Sequence, residues 1–241
     1  ADAIHEYLRR LTGFGYSGAV LVRQADNILL RHAYGMADTF TERANSADTA
    51  FDIASLSKQF TAAAILALEE DGRLRITDPL HTHLPNVPAD KHGITLEHLL
   101  GHTAGVIRRV PRAPTNDEVI GIIMSRPLNS VPGAEFAYSN SGYILLAAVI
   151  EAVSGQPFHQ YLQQRLFQRA GLTSTGFWGT LAPRIAPERI AKGHDDFGRA
   201  GSPLDWQVKT LADVGHGGVL STVDDLAPWI GALEGGRVIS P

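Results

Sequence analysis

The chain has 241 residues, 44% of them hydrophobic, and a formal net charge of −4, which fits one globular domain or one domain with a sizeable insertion. It carries no basic run, so its composition does not point to nucleic acid or to an anionic membrane surface. The absence of cysteine excludes disulfides, thiolate nucleophiles and zinc–thiolate sites, and no apolar stretch is long enough to predict a membrane span.

Helical and β-rich patterns alternate along the chain, separated by segments rich in Gly, Pro and Asn. In chain order, the patterns predict a helix over 1–11, a β-hairpin of strands 18–23 and 28–34, a helix over 55–68, short helices over 95–100 and 116–124, helices over 144–153 and 157–170, and a helix from Ser221 or Thr222 to Leu233. The segment 171–214 lacks periodicity, so we predict a long loop region with short strands there, and such loops often shape a site.

A candidate nucleophile lies at the start of one predicted helix. Ser55 opens the helix over 55–68, and Lys58 follows one turn later in Ser55-Leu56-Ser57-Lys58. Residues three apart share a helix face, so the hydroxyl and the amine can come within reach of one another. A lysine activates a serine only when burial or nearby positive potential lowers its pKa from about 10.4. Because a serine at a helix start is also a common N-cap, this tetrad alone is a weak signal.

A second short motif, Tyr138-Ser139-Asn140, offers two further groups that a serine acylase requires. A phenol with a lowered pKa can exchange a proton with the nucleophile or the leaving group. An amide side chain can hold a substrate carbonyl or amide. The motif has value only in combination with Ser55 and Lys58, because a tyrosine before an apolar helix is usually a packing residue.

Four segments together resemble the penicillin-recognising serine hydrolases, in the branch of class C β-lactamases, D-alanyl-D-alanine carboxypeptidases, D-aminopeptidases and related esterases. They occur in the family's order, at residues 51–61, 99–105, 136–143 and 217–226. The resemblance implies a beta-lactamase/transpeptidase-like α/β (α+β) fold, an antiparallel sheet flanked by helices plus a mostly helical lobe. We expect one such domain over residues 1–241, with the α/β part at 1–50 and about 215–241 and the helical lobe at about 51–214.

The same resemblance implies hydrolysis of an amide or ester, such as a D-peptide, a β-lactam or a carboxylic ester, through an acyl-enzyme on Ser55. Lys58 would accept the proton of the attacking hydroxyl, Tyr138 would work with Lys58 in moving protons, and Asn140 would orient the acyl side of the substrate. The expected partner is a small-molecule or peptide substrate, without nucleic acid, metal or cofactor. A periplasmic or secreted location is expected rather than a cytoplasmic one.

The family's third motif, Lys-Thr-Gly or His-x-Gly on a strand near the C-terminus, has no clear counterpart. Lys209-Thr210-Leu211 lacks the glycine, and His216-Gly217-Gly218 reads better as the start of the segment 217–226. His216 and Gly217 are nevertheless candidates for substrate binding, with the alternative that His216 lies behind the site. Since only the hairpin of the family's central sheet is obvious, we hypothesise that the C-terminal strands are absent from this chain and that a missing segment or a second chain completes the fold.

Arg108 is the remaining candidate for substrate binding. It lies with Arg109 and Arg112 in one loop, where an arginine could bind a substrate carboxylate bidentately or simply be exposed to solvent. The alternative function for the whole chain is a catalytically silent binding or regulatory protein.

The chain's ten histidines raise the question of a metal site. His98 and His102 are four residues apart but lack the intervening glutamate of the helical zinc-protease motif. We therefore expect His102 to make structural hydrogen bonds.

Overall fold

The computed structural model describes residues 1–25, 27–183, 185–193 and 200–240. Its helices are α1 Asp2–Leu11, α2 Lys58–Glu70, α3 Leu96–Leu100, α4 Asn116–Ser125, α5 Asn140–Ser154, α6 Phe158–Leu162, α7 Gln168–Ala170, α8 Leu211–Val214 and α9 Val223–Glu234. Its strands are β1 Gly18–Gln24, β2 Asn27–Tyr34, β3 Met36–Asp38, β4 Arg43–Ala44, β5 Phe51–Asp52, β6 Gly176–Phe177 and β7 Val219–Ser221.

The chain forms two compact units, each built from segments that are distant in sequence. The first comprises Ala1–Asp52, Gly171–Gln207 and Val219–Ala232. The second comprises Ile53–Ala170, Val208–Gly218 and Leu233–Pro241. The segment Gly171–Gln207, which we expected in the helical lobe, therefore groups with the N-terminal part of the chain.

The first unit contains the sheets. Strands β1 and β2 form the predicted antiparallel hairpin, with Gly18 opposite Tyr34 and an irregularity after Val22. Strands β3 and β4 form a second antiparallel pair. A third sheet has the antiparallel order β5-β7-β6 and was not predicted, because its strands are only two or three residues long and lie far apart in sequence. The hypothesis that further strands or a second chain complete the fold stays a prediction.

The second unit is helical and is centred on α5. Every residue of α5 from Ser141 to Ile150 is buried, as the strongly apolar sequence predicts, and α2 packs against this helix. The buried side of α2 carries Phe60, Ile65 and Leu68, which are fully enclosed. Gly72 follows α2 with a φ of +67°, a left-handed conformation that commonly ends a helix at a glycine.

Two predicted helix boundaries are wrong, and a third predicted helix is not a regular α-helix throughout. The segment Ala54–Ser57 forms a 3₁₀ turn, so α2 begins at Lys58 rather than at Ser55; such tightened turns are common at helix termini. Helix α5 begins at Asn140, before the expected residue 144, because Ser139 caps it by accepting a hydrogen bond from the Gly142 amide. The helix expected over 157–170 contains a π-helical turn at Gln163–Phe167. Part of the predicted loop region 171–214 lies outside the described residues.

A buried carboxylate connects separate segments of the first unit. Asp225, at the start of α9, is 5% exposed and accepts hydrogen bonds from the Ser174 amide and the Thr175 hydroxyl, each at 2.7 Å. The Thr175 hydroxyl also lies 2.8 Å from that of Ser221 in β7. One side chain thus ties α9 to the segment that leads into β6, next to β7.

We predict that Asp225→Ala lowers the free energy of unfolding by about 2–4 kcal/mol, because the substitution leaves buried donors without an acceptor. The matched control is Asp224→Ala, since the neighbouring Asp224 is exposed and forms a surface ion pair with Arg31. Removal of that pair should cost about 1 kcal/mol or less. Denaturant unfolding of both variants measures the difference, and equal losses would contradict the structural role of Asp225.

Candidate active site

Ser55 lies on the 3₁₀ turn Ala54–Ser57, which presents its side chain to solvent immediately before α2. The preceding residue, Ala54, adopts a left-handed backbone with a φ of +45°. Residues other than glycine adopt this conformation at a cost, and such strain is concentrated at functional sites. The turn that presents Ser55 is therefore strained at the residue before it.

An amine and a phenol meet at the Ser55 hydroxyl. Lys58 Nζ lies 3.2 Å from Ser55 Oγ, and Tyr138 Oη lies 2.9 Å from the same atom. Lys58 reaches Ser55 from the first turn of α2, whereas Tyr138 comes from the segment that precedes α5. The structure thus brings together the three residues that the sequence nominated as catalytic.

The ammonium group of Lys58 is held in a buried, mostly uncharged environment. The residue is 6% exposed, and its Nζ donates a 2.8 Å hydrogen bond to the carbonyl oxygen of His216. Nζ also lies over the rings of Tyr138 and Tyr143, at 5.0 and 5.6 Å from their centroids. Burial lowers the pKa of Lys58 and outweighs the opposing effect of Tyr138. This shift favours the neutral amine, which is the form that can accept a proton.

The surroundings of Tyr138 lower the pKa of its phenol, which favours proton exchange with a neighbouring group. Burial raises its pKa, but the hydrogen-bonding groups of Lys58 and Ser55, together with the positive charges of Lys58 and Arg108, more than offset burial and lower the pKa of Tyr138. Ser55 therefore lies within hydrogen-bonding distance of a lysine and a tyrosine whose pKa values are both lowered.

His216 and Gly217 lie in a loop that borders the same turn. The Thr61 hydroxyl on α2 donates to the Gly215 carbonyl at 3.0 Å and fixes the start of this loop. Gly217 is buried near the carbonyl of Ala54, and His216 supplies the carbonyl that receives Lys58. Burial first, and then the positive charge of Lys58, lower the pKa of His216 to about 4, so its ring is neutral at physiological pH.

Asn140 and Arg108 adjoin one another at the start of α5. The backbone N–H of Asn140 donates a 2.9 Å hydrogen bond to the backbone carbonyl of Arg108 and so fixes the backbone there. The side chain of Arg108 is exposed. The side-chain oxygen Oδ1 of Asn140 is buried and has no hydrogen-bond partner within the part of the chain that the structure describes. A buried acceptor without a partner is unusual in folded proteins and is therefore a candidate for a role in function.

We did not predict the contacts that support Lys58 and Tyr138. Tyr143 packs against Lys58, and the buried Ser139 donates to the Ile107 carbonyl at 2.7 Å while it caps α5. His102 makes the structural hydrogen bond that we expected, but its ring also contacts Tyr138. A serine directly before a long apolar helix was the available signal for the cap, whereas the ring contacts leave no sequence pattern.

No group of three or more potential metal ligands among His, Cys, Asp and Glu occurs among the residues described. Likewise, the described helices include none that is both long and apolar enough to cross a membrane.

We predict that Ser139→Ala lowers the free energy of unfolding by about 1–2 kcal/mol, because it removes the N-cap of α5 and a buried hydrogen bond. Ser141→Ala is the matched control, since Ser141 is also buried but its Oγ has no hydrogen-bond partner in the described ranges. That variant should be neutral or slightly stabilising. The ranking is tested by denaturant titration, and the reverse order would disprove this account of the cap.

The chain is similar to the Beta-lactamase family and to penicillin-binding proteins. The sequence profile of the family described as Beta-lactamase matches residues 11–241. Putative penicillin-binding protein PbpX of Bacillus subtilis is 36% identical over 186 residues, which cover 76% of this chain and 46% of that protein. Penicillin-binding protein 4* of the same bacterium is 33% identical over 186 residues, which cover 73% of this chain and 40% of the relative. The chain thus spans less than half the length of these two relatives.

The fold of this chain is also similar to that of a penicillin-binding protein of known structure. The penicillin-binding protein from Bacillus halodurans matches with a TM-score of 0.78 and 28% identity, over 95% of this chain and 73% of that one. The likeness to penicillin-binding proteins, together with the helices and small antiparallel sheets described above, confirms the predicted fold class.

Proposed function

We propose that this chain, which belongs to the beta-lactamase family within the penicillin-recognising serine hydrolases, hydrolyses an amide or ester through an acyl-enzyme on Ser55. The observation that carries the proposal is the approach of Lys58 Nζ and Tyr138 Oη to one serine oxygen, at 3.2 and 2.9 Å. A serine needs an adjacent base to attack, and this geometry supplies one.

In the acylation step, Ser55 Oγ forms a bond to the substrate's carbonyl carbon while its proton passes to the neutral amine of Lys58. Collapse of the tetrahedral adduct breaks the bond to the leaving nitrogen or oxygen, which takes a proton through Tyr138. A water molecule then attacks the ester carbonyl and gives a proton to Lys58 and Tyr138, which pass it to Ser55 Oγ as the bond between Oγ and the acyl carbon breaks and the carboxylic acid product leaves. No metal or cofactor is needed in this scheme.

The other candidates serve substrate binding in this proposal. The free Oδ1 of Asn140 would accept a hydrogen bond from an amide N–H on the acyl side of the substrate. Arg108, which is exposed beside Asn140, would attract a carboxylate. His216 and Gly217 would border the bound substrate through their backbone. We therefore propose a small-molecule or peptide substrate that combines an amide with a carboxylate.

The relatives' names narrow the choice of probe. Two similar proteins are named as penicillin-binding, so a penicillin is the first reagent to test as an acylating substrate. A periplasmic or secreted location belongs to the same proposal, because it would give the protein access to such compounds.

One observation favours the alternative, a catalytically silent binding protein. The Lys209-Thr210 pair does not lie on a strand: Thr210 and Asp213 form a capping box at the start of α8. The third motif of the resemblance is thus not supplied by this pair. A protein without it could retain a ligand at Ser55 without turning it over.

Covalent labelling separates the two candidate functions. After incubation with a fluorescent penicillin and with an activated ester, mass spectrometry of peptides should place the adduct on Ser55, and Ser55→Ala should lose it. Ser125→Ala is the matched control, because Ser125 is an exposed serine on α4 that should leave labelling unchanged. Equal labelling of the wild type and Ser55→Ala would disprove the nucleophile, and no labelling with either reagent would favour the silent binding protein.

The pH dependence of acylation tests the role of Lys58. Because burial lowers its pKa, the reactive neutral amine forms below the ordinary lysine value of about 10.4, so the acylation rate should rise with pH and level off before that value. Lys58→Ala should reduce the rate constant by about 10²–10⁴-fold. Quench-flow labelling at stepped pH gives both quantities. A rate that does not change with pH would rule out Lys58 as the titrating base.

A further inference from the structure

His102 holds the segment that carries Tyr138 at three points. Its carbonyl oxygen accepts a hydrogen bond from the Ala137 amide at 2.8 Å, and its ring nitrogen Nδ1 accepts one from the Ser139 amide at 3.2 Å. Its ring also packs against the Tyr138 ring, with centroids 4.5 Å apart. The residues on both sides of Tyr138 and its own ring are therefore fixed by one histidine, and we call this set of contacts the His102 clasp.

One contact of the clasp, the hydrogen bond from the Ser139 amide to Nδ1, requires a neutral imidazole. A backbone amide can only donate, so Nδ1 must present its lone pair to the Ser139 N–H, and the ring proton must lie on Nε2. Protonation would place a second hydrogen on Nδ1, directly opposite the Ser139 amide. The hydrogen bond would then be replaced by two donors that face each other.

The backbone of His102 indicates that this arrangement is imposed by its surroundings. The residue has a φ of +57°, in the left-handed region that few residues other than glycine occupy, although histidine is found there more often than most. This conformation costs free energy, and it directs both the carbonyl and the ring of one residue towards Ala137–Ser139.

The electrostatic environment keeps the ring neutral at physiological pH. Burial first, and then the positive charge of Lys58, lower the pKa of His102 and outweigh the effect of the Ser139 contact. The titratable groups that face the ring are Lys58 and the phenols of Tyr138 and Tyr143, whose ring centroid lies 5.0 Å away. Because the folded-state pKa is lowered, the Nδ1 contact of the clasp is fully formed above the ordinary histidine pKa, and this contact is lost as the pH falls through the folded value.

We propose that His102 is a positioning residue that holds Tyr138 against Ser55 while its ring is neutral and releases it on protonation. The inference rests on the proposed function of Ser55, Lys58 and Tyr138. Its consequence is a second acid limit on acylation, separate from the titration of Lys58. Displacement of a proton-transfer group by ~1 Å costs up to about a hundredfold in rate, so the limit should be visible in a pH profile.

The experiment measures the rate constant for Ser55 acylation by a fluorescent penicillin across acid and neutral pH. In the wild type, the rate should fall with Lys58 protonation and then show an additional drop of about tenfold or more as His102 is protonated. His102→Asn retains an oxygen acceptor and tolerates the left-handed backbone, so it should lower the neutral rate modestly and abolish the additional drop. His102→Phe retains a ring but has no acceptor, so it should be slow at every pH.

His159→Asn is the matched control. His159 is also a partly buried histidine whose pKa is lowered by burial, but it lies on α6, away from Tyr138. This variant should show the additional drop unchanged. If His102→Asn shows the same drop as the wild type, or if His159→Asn loses it, the proposal is overturned.

A nuclear magnetic resonance titration of the wild type tests the clasp without using activity or variants. The Ser139 amide and the Tyr138 ring signals should shift with the same midpoint as the His102 ring, and the neutral ring should carry its proton on Nε2. Signals that do not follow His102 would overturn the clasp. If they do follow it while Ser55 is never labelled, the proposed function is wrong and the clasp is supported.

Discussion

The buried ammonium of Lys58 is the constraint on which the candidate site depends. Removing a cation from water is costly unless polar groups replace its hydration. The replacements here are a backbone carbonyl, a hydroxyl and two aromatic faces, and no carboxylate is among them. Dipoles and π faces compensate the charge only in part, so the pKa of Lys58 falls. A carboxylate in the same place would stabilise the cation and oppose the proposed role of Lys58 as a base.

The partners of Lys58 come from distant parts of the chain, so the geometry of the site depends on how those parts are fixed. The loop that supplies the His216 carbonyl is bound to α2 by Thr61. Gly218 ends this loop with a φ of +78°, and a side chain there would collide with the Asp213 carbonyl. Tyr138 is fixed by His102. Each support acts mainly on backbone atoms, which lets short loops hold reactive groups within hydrogen-bonding distance.

The sequence predicts the parts of this arrangement that depend on local periodicity. Helices α1, α2 and α5 follow from their apolar spacing, and the reach between Ser55 and Lys58 follows from their separation along one turn. The proximity of Tyr138 came from the resemblance and not from periodicity. The sheet of β5, β7 and β6 and the clasp of His102 were not predictable, because very short strands and a left-handed histidine produce no repeating pattern. The start of α2 was misplaced for a related reason, since neither the left-handed Ala54 nor the 3₁₀ turn that it begins has a sequence pattern of its own.

Several features that usually destabilise a folded protein occur together around Ser55. Ala54 and His102 have left-handed backbones, Lys58 is a buried cation, and Asn140 retains a buried acceptor without a partner in the described part of the chain. Each feature costs folding free energy, and proteins tolerate such costs mainly at functional sites. A protein that only bound a ligand could use the acceptor of Asn140, but it would gain nothing from a destabilised lysine beside a turn that is strained at Ala54. The combination of these costs around Ser55 therefore supports the proposed catalytic function over simple binding.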